Sequence, residues 1–343
     1  MIKQSILICI GMVLVLMTMG TAAADTLYVG DGGYATIQEA VDAAIDGDTI
    51  LVYPGTYVEN VDVNKELTII TESGPDVTTV QGVPGMDDYV FHAGNLTENV
   101  NNVTIIGFNV TGGGGIGFSE SLYSELRNNI ISDGGIFAGG SNIYVINNTV
   151  ISTGIRFFDS EGILENNEVS SCPGTGITIE GQADVTLVNN TIYENGVGIR
   201  IWDFGSGYIF NNIIYGNEVG IKIHGNSYGM IDNNYFNNTM NAQIDVAYLG
   251  IYTTLNTTKS AGINIVGGPY LGGNFWAHPN GTGFSQIGED LDGDGICDLP
   301  YVIDENNIDY LPLSLFTYNP YDENKDCVID IGDVNAAIDD YRT

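Results

Sequence analysis

The sequence predicts an all-β protein built as a stack of parallel coils, closed at one end by a short helix. Three observations carry that prediction. Gly176, Gly198 and Gly220 each open a matching run (Gly-Ile-Thr-Ile, Gly-Ile-Arg-Ile, Gly-Ile-Lys-Ile) at a period of 22 residues. A second apolar segment keeps the same period: Leu187, Ile209 and Ile231 each precede by two residues an Asn-Asn pair, Asn189-Asn190, Asn211-Asn212 and Asn233-Asn234. From about Val77 to Gly272 the chain alternates short strand-like runs with tight polar turns. Several registers agreeing at one period mark stacked supersecondary units, so repetition sets the fold before propensity does.

In chain order, residues 1–24 read as a secretory signal. Lys3 supplies a small positive n-region, Ile6 to Met19 an apolar core, and Ala22-Ala23-Ala24 a cleavage site before Asp25. The apolar run is short for a bilayer span, so the expectation is a secreted or extracellular cell-surface chain with no span after signal removal. Residues 25–60 read as an N-terminal cap. Leu27 to Val29 is a short strand, and Thr36-Ile37-Gln38-Glu39 makes a capping box. Ile37, Ala40, Val41, Ala44 and Ile45 follow at helical spacing, with Gly47 as a left-handed stop. Thr49 to Tyr53, the turn Pro54-Gly55, Val58 to Val63 and Leu67 to Thr71 are β-rich runs. A helix ahead of a β array suits an end plug, because an open stack exposes its last apolar layer.

Residues 61–272 read as the array. Its earlier coils are shorter, with Asn128-Asn129, Asn147-Asn148 and Asn166-Asn167 spaced by 19 residues and a step of 23 to Asn189. Coils lying on one another at about 4.8 Å pair every backbone group with a neighbour. Ile199, Ile201 and Ile209 should then stack on Ile221, Ile223 and Ile231. Asn tolerates left-handed φ and its amide reaches the Asn one coil away, so the pairs predict a corner ladder.

Two acidic loops follow. In the C-terminal cap, residues 273–316, Asp290, Asp292, Asp294 and Asp298 fall at positions one, three, five and nine of a calcium turn, with the Ile296 carbonyl at seven. Position twelve is Tyr301, which leaves Asp304 or Asp309 to close the shell. In the tail, residues 317–343, Asp322, Asn324, Asp326, the Val328 carbonyl, Asp330 and Asp333 repeat the pattern with an acid at twelve. Ca²⁺ is the expected ion at both. The tail resembles half of a type I dockerin module, which implies a cohesin-like partner. It departs from that pattern with Cys327 where the family has Gly, and with a single loop where the family has two. Cys297 and Cys327 would pair as a disulfide if the tail folds back on the cap; Cys172 is the third cysteine beyond the signal.

Composition bounds the partners. The chain carries 43 acidic residues against 9 Lys and Arg, a net charge of −34. Such a field argues against nucleic acid and anionic membrane surfaces, and suits cation binding, high salt or plain solubility. Asn-x-Thr triplets at Asn95, Asn102, Asn109, Asn147, Asn189, Asn237, Asn256 and Asn280 fit an exported chain, although an Asn-rich repeat also creates them by accident.

The run Thr36-Ile37-Gln38-Glu39-Ala40-Val41-Asp42-Ala43-Ala44, continued by Asp46-Gly47-Asp48-Thr49-Ile50-Leu51-Val52-Tyr53-Pro54-Gly55-Thr56-Tyr57, precedes the Asn-Asn coils. Behind them come Gly272-Gly273-Asn274-Phe275-Trp276 and Asp309-Tyr310-Leu311-Pro312-Leu313. Over residues 26 to 313 this resembles the pectin-lyase-like superfamily, within it the NosD-like group of carbohydrate-binding proteins and sugar hydrolases. The resemblance implies a right-handed single-stranded parallel β-helix. It leaves chemistry open, since that fold hosts lyases, hydrolases, epimerases and non-catalytic binders.

Lyases of the superfamily use carboxylates to hold calcium and an Arg or Lys as base, and hydrolases use clustered Asp. The candidates are Arg156 with Asp159 and Arg200 with Asp203, near strand ends in neighbouring coils, with Lys222 one period beyond Arg200. Solvated outward positions account for the same residues. Phe158, Trp202, Tyr208 and Tyr228 suit either a sugar-stacking platform or an edge cover. Copper, which the NosD name suggests, needs clustered His, Cys or Met; His92, His224 and His278 are far apart in sequence. The leading expectation is a calcium-stabilised β-helix that binds polysaccharide or envelope components without catalysis. A polysaccharide lyase or glycoside hydrolase acting in a groove is the first alternative, and a scaffold- or adhesion-associated surface protein recruited by its tail is the second.

Overall fold

The computed structural model describes residues 23–83, 88–94, 99–246 and 253–315. Residues 1–22 of the expected signal and the tail loop Asp322 to Asp333 lie outside these residues. Three parallel sheets of ten, nine and ten strands wind around one apolar interior. Each coil contributes one strand to each sheet. One coil runs from Gly135–Gly139 in the second sheet to Asn142–Ile146 in the first and Thr149–Ile151 in the third. The expected all-β parallel β-helix is therefore present.

The register follows the repeat. Ile199 pairs with Ile221, Ile201 with Ile223 and Ile209 with Ile231, and all six are buried. Each inward isoleucine thus sits on its counterpart one coil away, and truncating one to Ala would cost about 2–5 kcal/mol.

The Asn pairs divide two tasks. The first member takes the corner: Asn128, Asn147, Asn166, Asn189, Asn211 and Asn233 all have φ between 54° and 58°. The second member builds the ladder through Asn129, Asn148, Asn167, Asn190, Asn212, Asn234 and Asn274. Each backbone N–H donates to the next Oδ1 at 2.9–3.1 Å. A second ladder, Asn195 to Asn217 to Asn238, runs down the corner between the third and second sheets.

The N-terminal helix, Ile37–Ala43, buries Ile37, Ala40 and Val41 against the first coil. Thr36 Oγ1 accepts the Glu39 amide at 3.1 Å as expected, but Glu39 reaches back to the Ala35 amide, not that of Thr36. The first-turn amides of Ile37 and Gln38 donate to Glu59, at 2.9 Å each. Ile45 is not part of the helical face: the helix ends at Ala43, and Ile45 is 47% exposed. The far end closes with stacked aromatics, Phe236 to Trp276 at 4.8 Å and Trp276 to Tyr301 at 4.7 Å.

Candidate functional site

The outer face of the second sheet gathers basic and aromatic side chains. Register places Phe137, Arg156, Thr178, Arg200, Lys222 and Gln243 in one outward column. Arg156 and Arg200 are thus two coils apart with Thr178 between them, not in neighbouring coils, while Lys222 lies directly beyond Arg200 as expected. Tyr89 stacks on Phe137 at 6.1 Å, and the Arg156 guanidinium lies 5.7 Å from the same ring. Gly117 makes room for this, because a Cβ there would meet the Tyr89 ring at 2.6 Å. An open trough of about 600 Å³ runs past Tyr89, Phe137, Arg156 and Thr178.

Neither Arg156 with Asp159 nor Arg200 with Asp203 forms an ion pair among the described residues. Arg156 makes its ion pair with Glu180, whose side chain is only 5% exposed. Asp159 is a corner residue with φ 48° whose Oδ1 accepts the Gln182 amide at 2.9 Å. Asp203 is likewise an exposed corner residue, with φ 53°. Arg200 lies 5.5 Å from the Trp202 ring, and Trp202 stacks on His224 at 5.6 Å. Three buried nitrogens meet here without a hydrogen-bond partner among the described residues: Arg200 Nε, Trp202 Nε1 and His224 Nε2. Most buried polar atoms in folded proteins are paired, so three unpaired nitrogens on neighbouring coils are exceptional. Burial lowers the pKa of His224, as do the charges of Arg200 and Lys222, against the pull of Asp245.

Sequence reasoning missed Glu180, Phe137, Tyr89 and His224 as parts of this face. Of the four aromatics it singled out, Phe158 and Trp202 belong to this side of the molecule. Tyr208 and Tyr228 project from the first sheet, so the four form no single platform.

The acidic loop of the C-terminal cap brings Asp290, Asp292 and Asp294 together, with one carboxylate oxygen from each within 4.8 Å of the others. Asp290 also organises the turn, accepting the Gly293, Asp294 and Gly295 amides at 2.9–3.1 Å and the Ser314 hydroxyl at 2.8 Å. Asp298 stands outside this trio and accepts the Leu291 amide at 3.0 Å. The trio gains no fourth carboxylate from the two expected closers. Asp304 folds back on the Asn306 and Asn307 amides. Asp309 is fully buried, where Oδ2 accepts the Asn274 amide and Trp276 Nε1 at 2.8 Å each and Oδ1 accepts the Leu311 amide at 3.0 Å. Lys259, absent from the sequence reading, pairs with Asp294 and lies 4.6 Å from the Tyr270 ring. Cys297 is buried, and burial pushes its pKa up to about 12; its expected partner Cys327 lies outside the described residues.

A family model described as "Periplasmic copper-binding protein (NosD)" matches residues 41–281. The chain belongs to the NosD family. A cell surface glycoprotein of Methanothermus fervidus is 28% identical over 175 residues, half of this chain and 27% of that protein. The chain thus spans about a quarter of that relative's length. Among solved structures, XylC in complex with xylose superposes with a TM-score of 0.53 at 13% identity, covering 74% of this chain and 75% of the other. The mannuronan C-5 epimerase AlgE6 A-module of Azotobacter vinelandii gives a TM-score of 0.48 at 17% identity, covering 61% and 73%. At 13% identity the likeness to XylC is one of fold.

The donor set of this NosD chain does not fit copper within the described residues. His92 and His224 are six strand steps apart in the second sheet, roughly 29 Å at the usual spacing. His92 Nε2 meets Ser119 Oγ at 3.1 Å and His278 Nδ1 meets Asn280 Oδ1 at 2.8 Å. Among the described residues, the carboxylate trio is the one group of three or more His, Cys, Asp or Glu side chains that converges, and it is a hard-oxygen set.

Proposed function

We propose that the protein is a secreted or cell-surface β-helix that binds polysaccharide on the outer face of its second sheet without converting it. The observation that carries this reading is the set of nitrogens Arg200 Nε, Trp202 Nε1 and His224 Nε2, buried and unpartnered beside stacked rings. Sugar hydroxyls and carboxylates would satisfy the Arg200 and Trp202 N–H groups once the side chains enclosing them part, and the ring faces suit the C–H face of a pyranose. The basic column also offers an anionic glycan local attraction on an otherwise acidic chain. Surface location is supported by the cell surface glycoprotein relative.

Asp290, Asp292 and Asp294, with the Ile296 carbonyl, would hold Ca²⁺, because hard cations take several oxygen ligands from such a turn. Asp298 Oδ2 accepts the Leu291 amide, so Oδ1 is the oxygen it would offer the same ion. The ion would fix the C-terminal cap, while the glycan would lie along the coils. Tail docking to a cohesin-like partner rests on Asp322 to Asp333 alone, and pull-down with a cohesin tests it.

One arrangement favours a catalytic reading, lyase or hydrolase chemistry on the same face: the His224 imidazole stacks on Trp202, against which Arg200 also lies. Affinity measurements on an array of neutral and acidic polysaccharides, with calcium and with chelator, separate these readings. Trp202→Ala should weaken binding about tenfold, the size expected for losing a desolvated ring and its cation–π contact. Binding to no glycan in either condition would sink the proposal. Release of unsaturated ends or reducing sugars would move the function to the catalytic class.

A further inference from the structure

The corner between the first and third sheets faces away from the second sheet, and its left-handed asparagines are not alike. Asn128, Asn147, Asn166 and Asn189 are exposed, and their side chains make no hydrogen bond among the described residues. The next two corners are occupied differently: Asn233 Nδ2 donates to Asn211 Oδ1, and Asn233 Oδ1 accepts the Ile265 amide at 2.9 Å. Of the four exposed amides, two begin an acceptor triplet, Asn147-Asn148-Thr149 and Asn189-Asn190-Thr191. Asn128 and Asn166 are followed by Asn-Ile and Asn-Glu and do not.

The two triplets therefore fall on alternate coils. Strand Asn142–Ile146, which leads into Asn147, pairs with Glu161–Glu165, and that strand pairs with Asp184–Val188, which leads into Asn189. Two strand steps separate the amides by about 9.6 Å, where adjacent coils would leave about 4.8 Å and crowd two sugar chains. An open hollow of about 350 Å³ adjoins Asn189. Two other triplets are committed to the fold. Asn256 Oδ1 accepts the Tyr310 amide at 3.1 Å and its Nδ2 donates to the Thr257 carbonyl at 3.1 Å. Asn237 is half-buried, with Oδ1 enclosed and Nδ2 turned to Tyr235. Asn102 and Asn280 are exposed elsewhere, and Asn280 has its Oδ1 folded onto Thr282.

We propose that Asn147 and Asn189 carry N-linked glycans, set in single file along the edge opposite the second sheet. The donor class is a lipid-linked oligosaccharide. Asn Nδ2 forms the bond to the anomeric carbon as the bond from that carbon to the lipid phosphate breaks. The amide gives up one proton, the lipid phosphate leaves, and nothing is oxidised or reduced. The corner tolerates the addition because the folding work there falls to the backbone of Asn147 and Asn189 and to the side chains of Asn148 and Asn190. The row of sugars keeps clear of the second sheet, and its placement holds whether or not that sheet binds polysaccharide.

Glycopeptide mass spectrometry on the full chain purified from its own cells tests the assignment. Asn147 and Asn189 should carry the added mass, and Asn128, Asn166, Asn237 and Asn256 should be bare. Thr149→Val and Thr191→Val, which leave each corner asparagine in place, should each remove one glycan from the intact mass. With Thr149→Val and Thr191→Val both in place, so that the coils on either side are bare, Glu168→Thr completes a triplet at Asn166 and should add one glycan. Unmodified Asn147 and Asn189 in the natural protein would overturn the proposal, as would glycans at Asn237 or Asn256.

Discussion

Lys259 stands where it competes with any cation at the acidic loop. Its ammonium pairs with Asp294, and that carboxylate raises its pKa above the ordinary lysine value. A calcium ion bound by the trio must share Asp294 with it or displace it. Lys259→Met should therefore tighten calcium binding several-fold, which calorimetry on the metal-free chain would show; unchanged affinity would place the ion elsewhere. The loss-of-ligand variant needs choosing with care. Asp290→Ala would break the turn itself, since Asp290 accepts three backbone amides. Asp292 is exposed and accepts only the Asp294 amide at 3.4 Å, so Asp292→Ala should abolish calcium-dependent stabilisation while changing the metal-free melting temperature little. The trio was legible in sequence because one turn carries it. Lys259 was not, because 35 residues separate it from Asp294 and only the fold brings them together.

Among the elements, the asparagine ladder and the C-terminal cap bear the sharpest predictions. Asn212 Nδ2 donates to the Leu187 and Phe210 carbonyls and to Asn234 Oδ1, and its own Oδ1 accepts from Asn190. Asn212→Ala strips these partners inside a dry corner, so it should cost about 3 kcal/mol or more in denaturant unfolding. Asn211→Ala should cost less, since that residue serves the turn rather than the ladder. In the cap, burial raises Asp309 to about 6 against three donors that favour its ionised form. The folded state then holds this proton more tightly than the unfolded chain. Stability from Asp309 is fully present below the unfolded value near 3.8 and is lost as pH rises toward about 6. Asp309→Asn should flatten that slope in melting temperature between these limits.

Inward positions were readable at this scale because they recur with the coil. Ile199 over Ile221 follows from a constant 22-residue offset. The outer face was not. Ladder steps vary between 19 and 23 residues in the neighbouring coils, so Arg156 finds its carboxylate 24 residues on, at Glu180, and not at nearby Asp159. The expected couples were close in sequence but sit on a strand and at a corner, pointing to different surroundings.

Taken whole, the molecule is a one-dimensional stack in which each coil touches chiefly its two neighbours. Ladder and backbone hydrogen bonds between coils all lie along the stacking axis, while the covalent chain circles around it. Tension applied to the two ends therefore loads the coils in series, and each can peel from the next without shearing the rest. A chain tethered at one end and pulled at the other should lengthen in discrete steps. With coils of 19 to 23 residues, each step should release about 65–80 Å of extended chain. Optical-trap extension would register these as a regular sawtooth, and a single all-or-none rupture would refute it. Under a sustained pull such a stack would yield one coil at a time, acting as a shock absorber.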